Sequence, residues 1–399
     1  MKEIYLDHAA TTPLDARVQK AMEPYWSKEF GNPSSLHRKG VAAKKALEES
    51  RKNIAGILHC KASEIIFTGG GTEAVNLGII GFARANAHHG RHIVTMRIEH
   101  HAVLHSVDVL RAEGFDVTTV GVSEDGLIDP KEIERVIRPD TILVSVMYAN
   151  NEIGTIQPIA EIGKVLRRYR EKQKQSPHYS LSTIRYPLLF TDACQAAGAL
   201  ELNVEKLGVD MLAVNGSKIY GPKGIGCLYA KSEIKLEPVI VGGGQEKGMR
   251  SGTENIPAIV GFAEALEIAA DMRVKESERL TKLRDWFIGE LLKKIPDVVL
   301  NGHPKLRLPN NINISIPGIE GEAAVIYLDA KGIYCSTGSA CSSVSLEPSH
   351  VILELGRSPD LAQGSLRFTL GRSTTKKDLE YVLKALAEVV KKTRFSKSR

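Results

Sequence analysis

The chain has 399 residues, 43% of them hydrophobic and 25% charged, the balance of a globular protein long enough for two domains. That composition excludes a disordered chain, a collagen and a coiled coil. The charge sum, 53 basic against 47 acidic residues for a net +6, is mild over this length and carries no nucleic-acid signature.

Taken in chain order, Met1 to Pro13 holds Glu3 and Asp7 and no apolar core, so a signal peptide is not expected. No apolar run is long enough for a membrane span. Short buried strands are predicted at Ile65–Phe67, His92–Met96, Thr141–Met147, Leu188–Thr191, Asp210–Val214 and Gly226–Tyr229, each apolar and bounded by Gly, Asn or Asp. Helical patterns fall between or beside them at Ser35–Leu58, Thr72–Ala87, Ala102–Glu113 and Ile159–Arg170. This alternation predicts an α/β domain with a largely parallel sheet, whose ligands sit at the carboxyl ends of the strands. The stretch Arg167–Pro187 is basic, polar and Pro-bearing, and reads as a surface insertion. After Gly252 the texture changes. A long helical stretch, Asn255–Lys294, is expected to break near Met272, and is followed by strands at Val298–Leu300, Asn311–Ile316 and Ser365–Leu370 and a last helix near Lys376–Lys392. The division expected is a large domain over 14–260 and a smaller α+β domain built from 1–13 and 261–399. Lys391, Lys392, Arg394, Lys397 and Arg399 make a basic tail, read as a solvated end.

Five cysteines, Cys60, Cys194, Cys227, Cys335 and Cys341, are scattered without a CxxC pair. This argues against a disulfide scaffold and for the reducing cytoplasm. Cys341 alone lies among small polar residues, in Ser336 to Ser343.

Three segments carry chemistry. Phe67-Thr68-Gly69-Gly70-Gly71-Thr72-Glu73 runs from a strand through glycines into a helix, where backbone N–H groups can hold a phosphate. Alone, it serves equally well as a tight turn. Asp192 follows a buried strand and needs a cationic or hydrogen-bonding partner. Lys218, in Asn215-Gly216-Ser217-Lys218-Ile219-Tyr220-Gly221, sits in a tight turn where an amine can be activated for covalent chemistry. A phosphate loop, an acid for a ring nitrogen and an amine for an aldehyde are together the needs of pyridoxal phosphate.

In these segments and in several others, the chain resembles the pyridoxal-phosphate-dependent cysteine desulfurases of the class V aminotransferase group. The resemblance runs from Tyr5-Leu6-Asp7-His8-Ala9-Ala10-Thr11-Thr12-Pro13 to Leu366-Arg367-Phe368-Thr369-Leu370-Gly371-Arg372. It includes Asn150-Asn151-Glu152-Ile153-Gly154, Met249-Arg250-Ser251-Gly252-Thr253 and Ser339-Ala340-Cys341-Ser342-Ser343. It implies the type I fold of pyridoxal-phosphate-dependent transferases and a homodimer. It also implies residue roles. Lys218 carries the cofactor covalently, Asp192 pairs with its ring nitrogen and Gln195 touches the ring hydroxyl. His100 stacks on the ring and moves protons. Gly71, Thr72, Asn215 and Ser217 hold the phosphate, joined by Thr253 from the partner subunit. Asn151 and Arg367 fix the substrate carboxylate, and Cys341 takes sulfur from L-cysteine for transfer to a cluster scaffold or a sulfur-relay protein.

Ser217 stands where that family usually has His, and the Arg167–Pro187 insertion is foreign to it. The alternatives are another pyridoxal-phosphate enzyme of this fold, such as a selenocysteine lyase or aminotransferase, and a non-catalytic binding protein. His101 and His105, at i and i+4, suit a metal, yet no carboxylate or Cys completes the set, so no metal site is expected in the active site.

Overall fold

The computed structural model describes residues 3–173, 185–337 and 347–396. The chain opens with a short strand, β1 (Ile4–Tyr5). The central sheet then takes β2 (Ile65–Thr68), β3 (His92–Met96), β4 (Asp116–Val120), β5 (Thr141–Ser145), β6 (Leu188–Asp192), β7 (Met211–Asn215) and β8 (Gly226–Ala230). Their spatial order is β2-β8-β7-β6-β5-β3-β4. Neighbours pair in parallel except where β8 meets β7 and β2. The expected largely parallel sheet is therefore present.

Burial on both faces explains why these strands read as unbroken apolar runs. Val94, Val144, Leu189, Leu212 and Val214 enter one hydrophobic cluster. Their chain neighbours Ile93, Leu143, Leu188, Phe190, Met211 and Ala213 enter another on the opposite face. The edge strand β4 was not predicted. Asp116-Val117-Thr118-Thr119 is polar and only partly buried, so it lacks the apolar signal of the inner strands.

Four further strands follow: β9 (Val299–Leu300), β10 (Asn311–Ser315), β11 (Ile333–Tyr334) and β12 (Ser365–Thr369). The antiparallel trio β12-β10-β9 and the parallel pair β1–β11 adjoin a third cluster. That cluster gathers Ile4 and Leu6 with side chains from Leu280 to Val390.

Two expectations are corrected. The helix Ile256–Lys294 is continuous over 39 residues, with no break at Met272. Between Phe262 and Ile288 it contains neither Gly nor Pro, the usual causes of a break. Its first part, to Ala269, packs in the sheet's cluster, and its later part, from Leu280, packs in the third. The second correction concerns Arg167, which starts no loop. The helix Ile159–Gln173 continues through it, and Arg170 is held by the Pro187 carbonyl at 2.6 Å and Asp210 at 2.6 Å. Of the rest of the expected insertion, 174–184 lies outside the described residues, and at its end Tyr186 donates its hydroxyl to Asn86 Oδ1 at 2.8 Å.

The expected helix Thr72–Ala87 forms as Gly71–Asn76, a widened turn over Leu77–Gly81, and Phe82–Asn86. Gly78 lets it lie close on the sheet: a Cβ there would stand 2.6 Å from the Phe190 ring.

Candidate active site

A cavity of about 740 Å³ opens at the carboxyl ends of β6 and β7. It brings together Gly71, Thr72, His100, Asn151, Asp192, Gln195, Asn215, Ser217, Lys218 and Arg367. Lys223 and Thr253 are not among its lining residues.

At one end, β2 runs into Gly69 and Gly70, and the helical turns start at Gly71. Gly70 has φ +147°, a backbone region that L side chains avoid. A Cβ on Gly71 would stand 2.8 Å from Cys194 Sγ and 3.0 Å from Asn215 Nδ2. Glycine is thus what lets this loop close over the ends of β6 and β7. Glu73, which also lines the cavity, fixes the loop, accepting from the Gly69 N–H at 2.8 Å and from Arg250 Nε at 2.9 Å.

Across the cavity, Asp192 ends β6. One of its oxygens accepts the Cys194 N–H at 2.9 Å. Glu99 is fully buried nearby, and burial, then the charge of Asp192, pushes its carboxyl well above the usual range. Its Oε1 accepts from the Met147 N–H at 2.7 Å, while Oε2 is buried without a partner.

The lysine turn is strapped down by the N-terminal segment. Thr12 donates its N–H and its hydroxyl to the Ser217 carbonyl, at 2.9 and 3.0 Å. Tyr220, at φ +63°, donates its N–H to the Thr12 hydroxyl at 2.7 Å. Lys218 Nζ donates to the Ala10 carbonyl, and Gln195 Nε2 to the Ala9 carbonyl at 2.9 Å. Asn215 Oδ1 is buried without a partner.

His100 caps the next helix, its Nδ1 accepting the Ala102 N–H at 3.1 Å, and this fixes the ring at the cavity wall. The His101 ring lies 5.4 Å from that of His105 and 5.0 Å from that of His350. Among the described residues no group of His, Cys, Asp or Glu side chains is arranged to hold a metal. At the far wall Arg367 donates through Nη2 to Asp7 at 2.8 Å and through Nη1 to the Asn151 carbonyl at 3.1 Å. Its Nε is buried without a partner, which leaves a donor for a carboxylate.

The residues present fit pyridoxal phosphate. A glycine-lined loop at a helix start suits a phosphate, and Asn215 brings a side-chain amide to it. Asp192 suits a cationic ring nitrogen, Lys218 supplies the amine, and the orphaned Asn215 Oδ1 marks a polar wall built for a polar occupant.

Thr253 is exposed and stands outside the cavity of its own chain. Cys341 lies outside the described residues. The four described cysteines are free thiols. Burial pushes Cys60 and Cys335 up to about 12, and holds Cys194 and Cys227 well above the ordinary thiol range.

Sequence reasoning gave no role to Asp7, Glu99, Glu152 or Ser349. Glu99 and Glu152 each adjoin a site residue, His100 and Asn151, and an acid beside an apolar Ile was the available signal. Asp7 and Ser349 meet partners remote in the chain, and no local signal marks them.

Comparisons with known proteins agree with this geometry. Residues 4–382 match the family described as aminotransferase class-V. The chain is 48% identical over 394 residues to "Cysteine desulfurase IscS" of Dictyoglomus turgidum, covering 98% of this chain and 96% of that protein. It is 42% identical to "Cysteine desulfurase" of Homo sapiens, over 99% of this chain and 83% of that one. Among solved structures, a "NifS-like protein" superposes with a TM-score of 0.89 at 34% identity, over 98% of this chain and all (100%) of that one. "SspA in complex with cysteine" does so at 0.76 and 33%, over 92% and 99%. The chain belongs to the aminotransferase class-V family, in its cysteine desulfurase branch.

Proposed function

We propose that this pyridoxal-phosphate-dependent cysteine desulfurase moves sulfur from L-cysteine to the thiol of Cys341, by the residue roles set out above. The observation that supports it most is that Lys218, Asp192, the glycine loop and Arg367, contributed by separate elements, line one cavity. Bound there, pyridoxal phosphate supplies an electron sink for the substrate's α-carbon.

The chain's residues do the rest. Arg367 and Asn151 receive the substrate carboxylate, with the Arg367 Nε–H as an open donor. Lys218 Nζ, beside the Ala10 carbonyl, holds or passes a proton, and His100 is the second proton carrier at the cavity wall. The Cys341 thiolate attacks the substrate sulfur. A sulfur–sulfur bond forms and the Cβ–S bond breaks. The electron pair stays on Cβ, which takes a proton, and the products are alanine and a Cys341 persulfide. Acceptance of the sulfur by a cluster scaffold or a sulfur-relay protein completes the reading, with the cytoplasm as its place.

A homodimer belongs to the same reading. Trp26, Phe30 and Leu36 are exposed to 63%, 68% and 97%, and a second copy of the chain would cover such apolar surface. Thr253, outside its own cavity, is free to serve the partner's phosphate. The division into 14–260 and 1–13 with 261–399 draws support from the separate cluster that joins Ile4 and Leu6 to the C-terminal residues.

Cys341→Ser tests the mechanism. It should give the absorbance change of cysteine binding but release no sulfide and gain no sulfur mass. Wild-type sulfide release by this variant, or a persulfide mapped to Cys194, would refute the assignment.

A further inference from the structure

We propose that Tyr220 is a positioning residue that aims Lys218 into the cavity, its ring clamping a strained turn of backbone between the N-terminal segment and Arg372. The inference rests on the reading of Lys218 as the residue that holds pyridoxal phosphate.

Tyr220 follows Lys218 by one intervening residue, the buried Ile219, and its backbone is left-handed at φ +63°. A bulky side chain rarely adopts that region, which glycine enters at no steric cost. Strain of this kind persists only where the surroundings over-determine it, and it collects at functional sites.

The surroundings do over-determine it. The Tyr220 N–H donates to the Thr12 hydroxyl at 2.7 Å, and its carbonyl accepts the Asp15 N–H at 3.0 Å. Its hydroxyl oxygen accepts the Arg372 N–H at 2.8 Å, just past β12. The Arg372 guanidinium lies over the Tyr220 ring, 4.0 Å from its centre, and donates to Asp15 at 2.7 Å. The ring is also 5.9 Å from that of His8. Backbone, ring face and hydroxyl are thus each held, by segments more than a hundred residues away in both directions of the chain.

The same N-terminal segment grips the lysine. Thr12 bonds the Ser217 carbonyl, and the Ala10 carbonyl accepts from Lys218 Nζ. Behind the turn lies a second cavity of about 70 Å³, lined by Tyr220, His8 and Arg372, and shared with the larger one through Lys218 and Gln195. The lysine therefore stands between two openings, and packing alone does not fix its direction. Relaxation of Tyr220 to negative φ would break its bonds to Thr12 and Asp15 and rotate the peptide that leads back to Lys218. A glycine would meet the turn more cheaply, so the ring earns its place by holding that direction.

The wild type and three variants, each as holoenzyme, test this through the rate of cofactor release on dilution and the visible circular dichroism per bound cofactor. Tyr220→Ala loses the ring but keeps a side chain that disfavours this φ. Its cofactor should leave about tenfold faster, and its dichroism should fall. Tyr220→Phe keeps the ring and should stay within about threefold of the wild type. Tyr220→Gly also loses the ring yet adopts this φ freely, and should recover most of what Tyr220→Ala loses. A residue that only filled space would give the reverse order, the smaller side chain leaving the larger void. Wild-type release and dichroism in Tyr220→Ala, or a folded Tyr220→Gly no better than Tyr220→Ala, would overturn the inference. Lys218→Ala separates the two levels. If borohydride fixes no cofactor in it while Tyr220→Ala behaves as the wild type, the inference alone fails. If borohydride fixes cofactor normally in Lys218→Ala, the reading beneath it fails, and the inference with it.

Discussion

Arg367 and Asp7, 360 residues apart in the chain, meet at 2.8 Å, and the carboxylate aims the guanidinium across the cavity. Arg367 is 3% exposed at its side chain, so its charge is compensated by Asp7 and by the Asn151 carbonyl rather than by water. Asp7→Ala should lower stability by about 1–3 kcal/mol by leaving that buried donor unpaired. It should also raise KM for cysteine by about tenfold, equivalent to about 1.4 kcal/mol. Steady-state kinetics with urea unfolding checks both; an unchanged KM would show that Asp7 does not orient the arginine.

Lys218, and not Lys223, should hold the cofactor. Lys223 Nζ lies 3.5 Å from the Thr12 carbonyl, outside the cavity lining. Borohydride treatment should fix pyridoxal phosphate to Lys223→Ala and not to Lys218→Ala. A normally fixed cofactor in Lys218→Ala would sink the assignment.

Arg51 and Glu246 form a buried two-pronged pair at 2.6 and 2.8 Å, their side chains 5% and 3% exposed. Glu246 also accepts the Phe67 N–H at 2.8 Å at the edge of β2. Arg51→Met leaves an uncompensated buried carboxylate and should cost about 3–5 kcal/mol, and Arg51→Met with Glu246→Gln should recover part of it. Denaturant unfolding of the two variants measures this. A loss below about 1 kcal/mol would place the pair with weak surface bridges.

Glu152 gives a pH signature of stability. Its carboxyl is raised from 4.5 to about 7 by burial, so the folded state binds this proton more tightly than the unfolded chain. The stability that the protonated form contributes is whole below about 4.5 and is lost as pH rises towards about 7. Glu152→Gln does not titrate. Its melting temperature should therefore gain on that of the wild type across this window and run parallel above it. Parallel melting curves from pH 4 to 8 would contradict this, because the neighbours Arg367 and His100 remain in both proteins.

The expected strands lie close to their predicted ends, because inner strands covered on both faces must be apolar throughout. That Gly71, Asp192 and Lys218 line one cavity was legible for a related reason, whereas Asn215 was named through the family resemblance. Each sits at the end or start of an element that the local sequence already marks, and the carboxyl ends of neighbouring strands meet whatever the details of packing. The half-exposed β4 escaped notice because edge burial leaves no apolar run. The expected break at Met272 failed because the helix is supported by one cluster on its first part and another on its later part.

Arg367 with Asp7, Glu152 with Ser349, and Thr12 with the Ser217 carbonyl are partnerships between segments far apart in the chain. The sequence by itself determined the inner strands of the sheet, the glycine turn after β2 and the places of Lys218 and Asp192 at strand ends, since periodicity and local turn chemistry act within a few residues. Which carboxylate faces which guanidinium, and which acid is forced to hold its proton, only the tertiary structure decided. Burial and the low dielectric that goes with it arise from residues distant in sequence, and they exist only once those residues have packed.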